Sequence, residues 1–122
     1  MAKILIVEDN AANMTLSAFL LSSAGHTVLK ATDAEAGLAL ARNEHPNLIL
    51  MDIQLPGMDG LEATVVLKAD RTTRDIPVIA LTALAMKGDE ERIRAAGCDG
   101  YIAKPMRYQE FLKAIAAQLV GV

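Results

Sequence analysis

Four short apolar segments of this chain each end at a polar residue, and this pattern strongly limits the folds open to it. Each segment has the length and composition of a strand buried on both faces, which is typical of parallel sheets. They are residues 4–7 followed by Glu8 and Asp9, 48–51 followed by Asp52, 78–81 followed by Thr82, and 101–103 followed by Lys104. Because the carboxyl ends of parallel strands lie at one edge of a sheet, we expect these polar groups to share one cleft.

Segments of helical length separate the apolar runs and predict alternating strands and helices. We predict strands at 3–7, 27–31, 48–51, 77–81 and 99–103, and helices at 12–23, 34–43, 59–68, 85–96 and 107–119. This alternation predicts an α/β fold with a doubly wound parallel sheet of the flavodoxin-like (βα)5 type, and one favoured strand order for five such units is 2-1-3-4-5. That order places the first and third strands side by side, so Glu8 and Asp9 would meet Asp52.

The last two predicted helices differ in pattern. The fourth is polar nearly all round over residues 87–92, and Gly88 costs about 1 kcal/mol relative to alanine in a helix interior. The last helix carries one apolar stripe that we expect to pack on the sheet, formed by Tyr108, Phe111, Leu112, Ile115 and Leu119.

Length and composition exclude several classes of protein. The chain has 122 residues, which predicts a single domain over 1–122. A net charge of −3 and the lack of any Lys/Arg run argue against direct binding to nucleic acid. No signal peptide and no apolar run near the ~20 residues that span a bilayer are present, which predicts a cytoplasmic protein without membrane contact. The single cysteine, Cys98, is predicted to be a small core residue.

The expected cleft has the groups for phosphoryl chemistry. Glu8, Asp9 and Asp52 supply oxygen ligands without a nearby histidine or cysteine set, and such ligands favour Mg²⁺. A carboxylate can also attack phosphorus and form an aspartyl phosphate, and Asp52 is the central candidate. Thr82 could donate a hydrogen bond to the phosphoryl oxygens, and Lys104 could neutralise their charge.

Four motifs carry a family resemblance that covers essentially the whole chain. The sequence resembles the receiver domains of two-component response regulators in residues 4–10 (ILIVEDN), 50–56 (LMDIQLP), 81–83 (LTA) and 104–105 (KP). Within that family, residues 83–94 and the third-strand motif most resemble a stand-alone regulator of cell division. Related segments also occur in the receivers of hybrid kinases.

The resemblance implies a role for each acidic residue. Asp52 would be the phosphoacceptor, and its phosphoryl group would come from a phosphohistidine on a sensor histidine kinase or a histidine phosphotransferase. Mg²⁺ would be held by Glu8, Asp9, Asp52 and the backbone carbonyl of Gln54. Such a domain is not an enzyme for external substrates, since it catalyses only its own phosphorylation and dephosphorylation.

The resemblance also implies how phosphorylation of Asp52 would change a protein-binding surface. Thr82, Ala83 and Lys104 would bind the phosphoryl oxygens, and a cis peptide before Pro105 would direct the lysine inward. Thr82 and Tyr101 would form the switch, with the tyrosine ring turning inward on phosphorylation. The face formed by the fourth helix, fifth strand and fifth helix would then recruit a downstream protein partner.

Two alternatives remain open from the sequence. One is an Mg²⁺-dependent hydrolase or phosphotransferase that forms an aspartyl phosphate at Asp52 while acting on a small substrate. A chain of 122 residues with 3% aromatic content has little material to enclose such a substrate. The other is a receiver excised from a larger regulator or hybrid kinase, although the lack of a visible linker favours a stand-alone regulator.

Overall fold

The computed structural model describes residues 2–83, 87–104 and 107–119, with the backbone alone for residue 87. The strands are β1 (Lys3–Val7), β2 (Thr27–Ala31), β3 (Leu48–Asp52), β4 (Val78–Thr82) and β5 (Gly100–Ala103). The helices are α1 (Ala11–Ser23), α2 (Ala34–Glu44), α3 (Gly60–Ala69), α4 (Lys87–Ala95) and α5 (Tyr108–Gln118). The predicted elements are confirmed, with ends that shift by about one residue. The predicted start of the fourth helix, residue 85, lies outside the described residues.

The five strands form one parallel sheet in the order β2-β1-β3-β4-β5, which confirms the predicted topology. The register aligns Val7 with Met51 and Asp52 with Leu81. It also aligns Thr82 with Ala103. The residues that end β1, β3, β4 and β5 are therefore neighbours along one edge of the sheet.

Helices cover both faces of this sheet, which explains why the inner strands are apolar along their length. Helices α2, α3 and α4 pack on one face through residues that include Leu38, Ala63, Leu67 and Ile93. Helices α1 and α5 pack on the other face through Leu21, Phe111 and Ile115. Burial on both faces leaves the strand ends as the places where charge is tolerated. In the described part of the chain, no helix has the length and apolar character needed to cross a membrane.

Among the helix starts that the structure describes, those of α1, α2 and α3 have an N-cap side chain that accepts a backbone hydrogen bond. Asn10 accepts from the N–H of residue 13, Asp33 from that of residue 36, and Asp59 from that of residue 62, at distances of 2.8–2.9 Å. Such caps satisfy N–H groups that have no partner within the helix. The cap at Asn10 starts α1 immediately after the acidic pair that ends β1.

Helix α5 differs from the predicted stripe at its first residue. Phe111 and Ile115 are buried, and Leu112 and Leu119 pack at the margin of the same core, as predicted. The side chain of Tyr108 is 57% exposed, so its predicted contact with the sheet is wrong. Tyr108 is the first residue of α5, at the end of the stripe, and its hydroxyl is a polar group that favours contact with water.

Cys98 is buried, as predicted for a core residue. Its thiol donates a long hydrogen bond to the hydroxyl of Thr64, which is also buried, with 3.8 Å between Sγ and Oγ1. Burial raises the pKa of this thiol. The side chain therefore contributes to packing between α3 and the segment that precedes β5.

His26 stabilises the start of the sheet through its neutral form. Its Nδ1 accepts a hydrogen bond of 3.1 Å from the backbone N–H of Ala2, and the ring is partly buried. Burial lowers the pKa of His26 below its ordinary value of 6.5. Because protonation would remove the acceptor, the folded protein binds a proton here less readily than the unfolded chain does.

Replacing His26 by glutamine should therefore reduce the loss of stability on acidification. The pKa of His26 is lower in the folded protein than in the unfolded chain. Its contribution to stability is therefore present above the pKa of the unfolded chain and is lost as the pH falls through the pKa of the folded protein. We expect the free energy of unfolding in urea to fall more in the wild type than in His26→Gln between about pH 7.5 and about pH 5.5. Other titrating groups are shared by both proteins, so an equal fall in both would contradict this expectation.

Candidate functional site

Three carboxylates meet where β1 and β3 end. Glu8 directly follows β1 and is fully buried, and Asp52 is the last residue of β3, with 3% of its surface exposed. Asp9 is exposed at the rim. One carboxylate oxygen from each of the three lies within 4.8 Å of the others. The predicted convergence of these residues is thus present in the fold.

Lys104 extends into this acidic cluster from the end of β5. Its Nζ lies 2.9 Å from Oε1 of Glu8 and 3.2 Å from Oδ2 of Asp52. The backbone N–H of Lys104 donates a 2.7 Å hydrogen bond to the carbonyl of Thr82, which continues the pairing of β5 with β4 beyond the strand. The sequence placed Lys104 beside a phosphoryl group but did not indicate that it pairs with Glu8, a residue 96 positions away.

Backbone N–H groups complete the contacts of the two buried acids. The N–H of Gln54 donates to Oδ1 of Asp52 at 3.0 Å, and the N–H of Asn10 donates to Oε2 of Glu8 at 3.3 Å. Both are contacts between a carboxylate and the backbone two residues ahead, as occurs in Asx-type turns. They hold each side chain at the strand end and turn the chain toward the next segment.

The two buried carboxylates differ in how readily they ionise. Burial raises the pKa of Glu8 to about 7, and the neighbouring Asp52 adds to the rise. Burial also opposes ionisation of Asp52, but hydrogen bonds with Glu8 and the Gln54 N–H, together with the charge of Lys104, outweigh it and lower the pKa. The pKa of Lys104 is raised because its carboxylate partners outweigh the effect of burial. Asp52 is therefore the more firmly ionised of the two buried acids.

The remaining predicted residues surround this cluster at different depths. Thr82 ends β4 and is fully buried, and Ala83 follows it at the surface. Tyr101 lies on β5 opposite Ala80, with 38% of its side chain exposed. The predicted cis peptide involves Pro105, which lies outside the described residues.

Gly60 allows α3 to begin against the backbone of Asp52. A Cβ at this position would contact the carbonyl oxygen of Asp52 and lie 2.7 Å from Cα of Ile53. The N–H of Gly60 donates a hydrogen bond of 3.3 Å to the carbonyl of Ile53. The helix predicted over 59–68 includes this glycine but does not indicate the close contact, which depends on how α3 packs against the end of β3.

The arrangement has two chemical capacities. Within the described part of the chain, the clustered ligand atoms are three carboxylate oxygens, and these suit a hard divalent cation such as Mg²⁺. An ionised carboxylate beside an ammonium group can act as a nucleophile toward an electrophilic centre whose charge the ammonium stabilises. Both capacities involve Asp52.

Comparisons with known proteins give one consistent family. The family model for the response regulator receiver domain matches residues 4–116. The chain is 51% identical over 116 residues to the polar-differentiation response regulator DivK of Brucella ovis, covering 95% of this chain and 94% of that protein.

Solved structures of receiver domains have the same fold. The receiver domain of sensor histidine kinase PA1611 from Pseudomonas aeruginosa, which has a magnesium ion coordinated in its active site cleft, gives a TM-score of 0.91 at 36% identity over 98% of both chains. The chemotaxis protein CheY4 of Vibrio cholerae gives a TM-score of 0.92 at 27% identity, covering 98% of this chain and 99% of that chain.

A methyl group at Gly60 should destabilise the protein, whereas one at Gly88 should not. We expect Gly60→Ala to lower the free energy of unfolding by about 1–3 kcal/mol, because backbone atoms must shift to admit Cβ. Apart from the backbone of α4 itself and the two chain neighbours, the described residues place no heavy atom within 4 Å of a Cβ built at Gly88. Gly88→Ala should therefore be neutral or add up to about 1 kcal/mol. Urea denaturation of both variants would test this, and equal effects would contradict the assigned contact.

Proposed function

This chain belongs to the family of response regulator receiver domains, as its motifs predict, and we propose that Asp52 is its phosphoacceptor. The observation that carries this assignment is the position of the Asp52 carboxylate, with Lys104 Nζ 3.2 Å away and two more carboxylates beside it. Its lowered pKa keeps it ionised and therefore nucleophilic near neutral pH. We further propose that residues 1–122 act as a single receiver domain.

The donor we propose is a phosphohistidine on a sensor histidine kinase or a histidine phosphotransferase. An oxygen of Asp52 would form a bond to phosphorus while the bond from phosphorus to the imidazole nitrogen breaks. The electron pair of that bond stays on the ring nitrogen, which takes up a proton. Hydrolysis would later return the free carboxylate and inorganic phosphate, and these two reactions on its own side chain would be the only chemistry of the domain.

The residues at the cleft fit Mg²⁺. Glu8, Asp9 and Asp52 would be its carboxylate ligands, and the backbone carbonyl of Gln54 would be a fourth ligand. The fit is supported by the donor set, which consists of carboxylate oxygens that lie within 4.8 Å of one another. Bound Mg²⁺ would neutralise charge on the phosphoryl oxygens.

Three groups would bind the phosphoryl oxygens. Lys104 would exchange a carboxylate partner for a phosphoryl oxygen, since its Nζ already lies beside Oδ2 of Asp52. Thr82 would donate its hydroxyl, and Ala83 would donate its backbone N–H. The register supports these roles, because Leu81 pairs with Asp52 and Thr82 is the next residue along β4, at the same edge of the sheet.

The switch that we propose includes Thr82 and Tyr101. Thr82 is joined to the end of β5 by the backbone hydrogen bond from Lys104, so a shift at β4 would be passed to the neighbouring strand. Tyr101 is 38% exposed on β5 and would turn inward when Thr82 moves toward the phosphoryl group. The face of α4, β5 and α5 would change shape and bind a downstream protein, since an acidic chain has no charge affinity for nucleic acid.

Replacing Asp52 by asparagine should abolish phosphorylation. With Mg²⁺ and a small acyl-phosphate donor, we expect the wild type to gain the mass of one phosphoryl group and Asp52→Asn to gain none. Asp59→Asn is the matched control, because Asp59 caps α3 with an oxygen that asparagine also offers. Intact-mass spectrometry would measure all three proteins, and an adduct that persists in Asp52→Asn would overturn the assignment.

Replacing Asp9 by asparagine should weaken Mg²⁺ binding without unfolding the protein. Asp9 is exposed, so its loss costs little packing, but it removes one negative charge from the ligand set. We expect the dissociation constant for Mg²⁺ in calorimetric titration to rise about tenfold or more. The control is Asp33→Asn at the cap of α2, which should leave the dissociation constant for Mg²⁺ unchanged. An unchanged dissociation constant in Asp9→Asn would argue against this ligand set.

A further inference from the structure

The outward face of α1 carries no charge. Residues 10–25, which include all of α1, contain no Asp, Glu, Lys or Arg. Helices α2, α3, α4 and α5 each carry charged residues of both signs. A surface helix of a globular protein normally turns charged and polar residues to the solvent, opposite the face that packs on the core. The face that α1 turns to the solvent is therefore unusual for a helix in contact with water.

Large apolar side chains lie beside small ones on this face. Phe19 is 67% exposed and Leu16 is 43% exposed. The exposed residues Ala11, Ala12 and Thr15 lie next to them on the helix, and these five residues line a groove with a volume of about 580 Å³. Because residues three, four and seven positions apart share one face of a helix, the groove follows a single stripe along α1. A second helix has the shape to fill such a stripe.

A membrane suits this face poorly. Helix α1 has 13 residues, whereas about 20 are needed to cross a bilayer. Helices that lie on a membrane surface usually carry Lys or Arg on their polar side, and α1 has neither. The exposed carboxylate of Asp9, next to the start of α1, would also be repelled by anionic head groups. These observations favour a protein surface as the occupant.

The order of large and small side chains along α1 is complementary to itself. Two copies of the helix can pack antiparallel about a two-fold axis that passes between residues 15 and 16. Phe19 of each copy then faces Ala12 of the other, and Leu16 of each copy faces Thr15 of the other. Each large side chain thus lies over a small one, which allows two helices to pack closely.

Charge favours α1 over other surfaces for contact between two copies. The chain carries a net charge of −3, so two copies repel each other in most orientations. The antiparallel pairing brings uncharged residues together and removes the apolar surface of Phe19 and Leu16 from water. At the end of the pairing, Asp9 of one copy would face Ser22 of the other, whose hydroxyl can donate a hydrogen bond.

We propose that two copies of this chain associate through α1, in an antiparallel pairing that packs Phe19 of each copy over Ala12 of the other. The helix is about 20 Å long and about 10 Å wide, so it covers less than the roughly 1,600 Å² buried in a standard protein interface. The dimer is therefore weak, with a dissociation constant of about 0.1 mM. The pairing needs no phosphoryl group and does not rest on the proposed function.

Sedimentation equilibrium between about 10 µM and about 1 mM tests the association. The average mass of the wild type should rise from that of one chain toward that of two over this range. Phe19→Glu should raise the dissociation constant about tenfold or more, because it places a carboxylate against an apolar surface.

The matched control is Val65→Glu, since Val65 on α3 is another large apolar residue, with 53% of its surface exposed. Val65→Glu should associate as the wild type does. A wild type that stays monomeric at about 1 mM, or an equal loss of association in Val65→Glu, would overturn the proposal.

A second substitution tests the register. Adding Ala12→Lys to Phe19→Glu places the new ammonium of each copy opposite the new carboxylate of the other. We expect this double variant to bind itself about threefold or more tightly than Phe19→Glu alone.

The control for net charge adds Ser23→Lys to Phe19→Glu instead, because position 23 is one turn from position 19 on the same helix but faces residue 8 of the other copy. This variant should recover no affinity relative to Phe19→Glu. All the substituted positions are exposed, so the fold should be kept. Equal recovery in the two double variants, or recovery in neither, would overturn the antiparallel pairing.

Discussion

The constraint on which this structure depends is the burial of a parallel sheet on both faces. The inner strands β1, β3 and β4 pair with neighbours on both sides and are covered by helices above and below, so their interiors exclude charge. Polar side chains can follow these strands only at their ends. The parallel register then brings those ends to one edge, and the acidic cluster is a consequence of that arrangement.

Within the cluster, one ammonium group lies between two buried carboxylates. Lys104 contacts both Glu8 and Asp52, while Asp9 adds a third negative charge at the rim. Burial raises the pKa of Glu8 to about 7, whereas at Asp52 the hydrogen bonds with Glu8 and the Gln54 N–H and the charge of Lys104 outweigh burial and lower the pKa. A cleft in this state favours a cation, and it presents Asp52 as the ionised group.

The sequence predicts the strands, their order and the cluster at their ends, because each depends on local apolar runs and a general topological preference. It does not predict contacts that depend on how distant segments meet. The pairing of Lys104 with Glu8, the approach of Gly60 to the carbonyl of Asp52, and the ion pair between Lys68 and Asp99 are of this kind. The exposure of Tyr108 was missed because helical periodicity gives the direction of a side chain but not the extent of the surface beneath it.

The central claim is that the sheet topology makes Asp52 the phosphoacceptor among all the carboxylates of the chain. Reductive trapping tests it most directly, because borohydride converts an aspartyl phosphate into homoserine and so marks the residue permanently. After reaction with Mg²⁺ and an acyl-phosphate donor, reduction and peptide sequencing by mass spectrometry should find homoserine at position 52. Homoserine at another aspartate, or its absence from a protein shown to carry the phosphoryl group, would contradict the account.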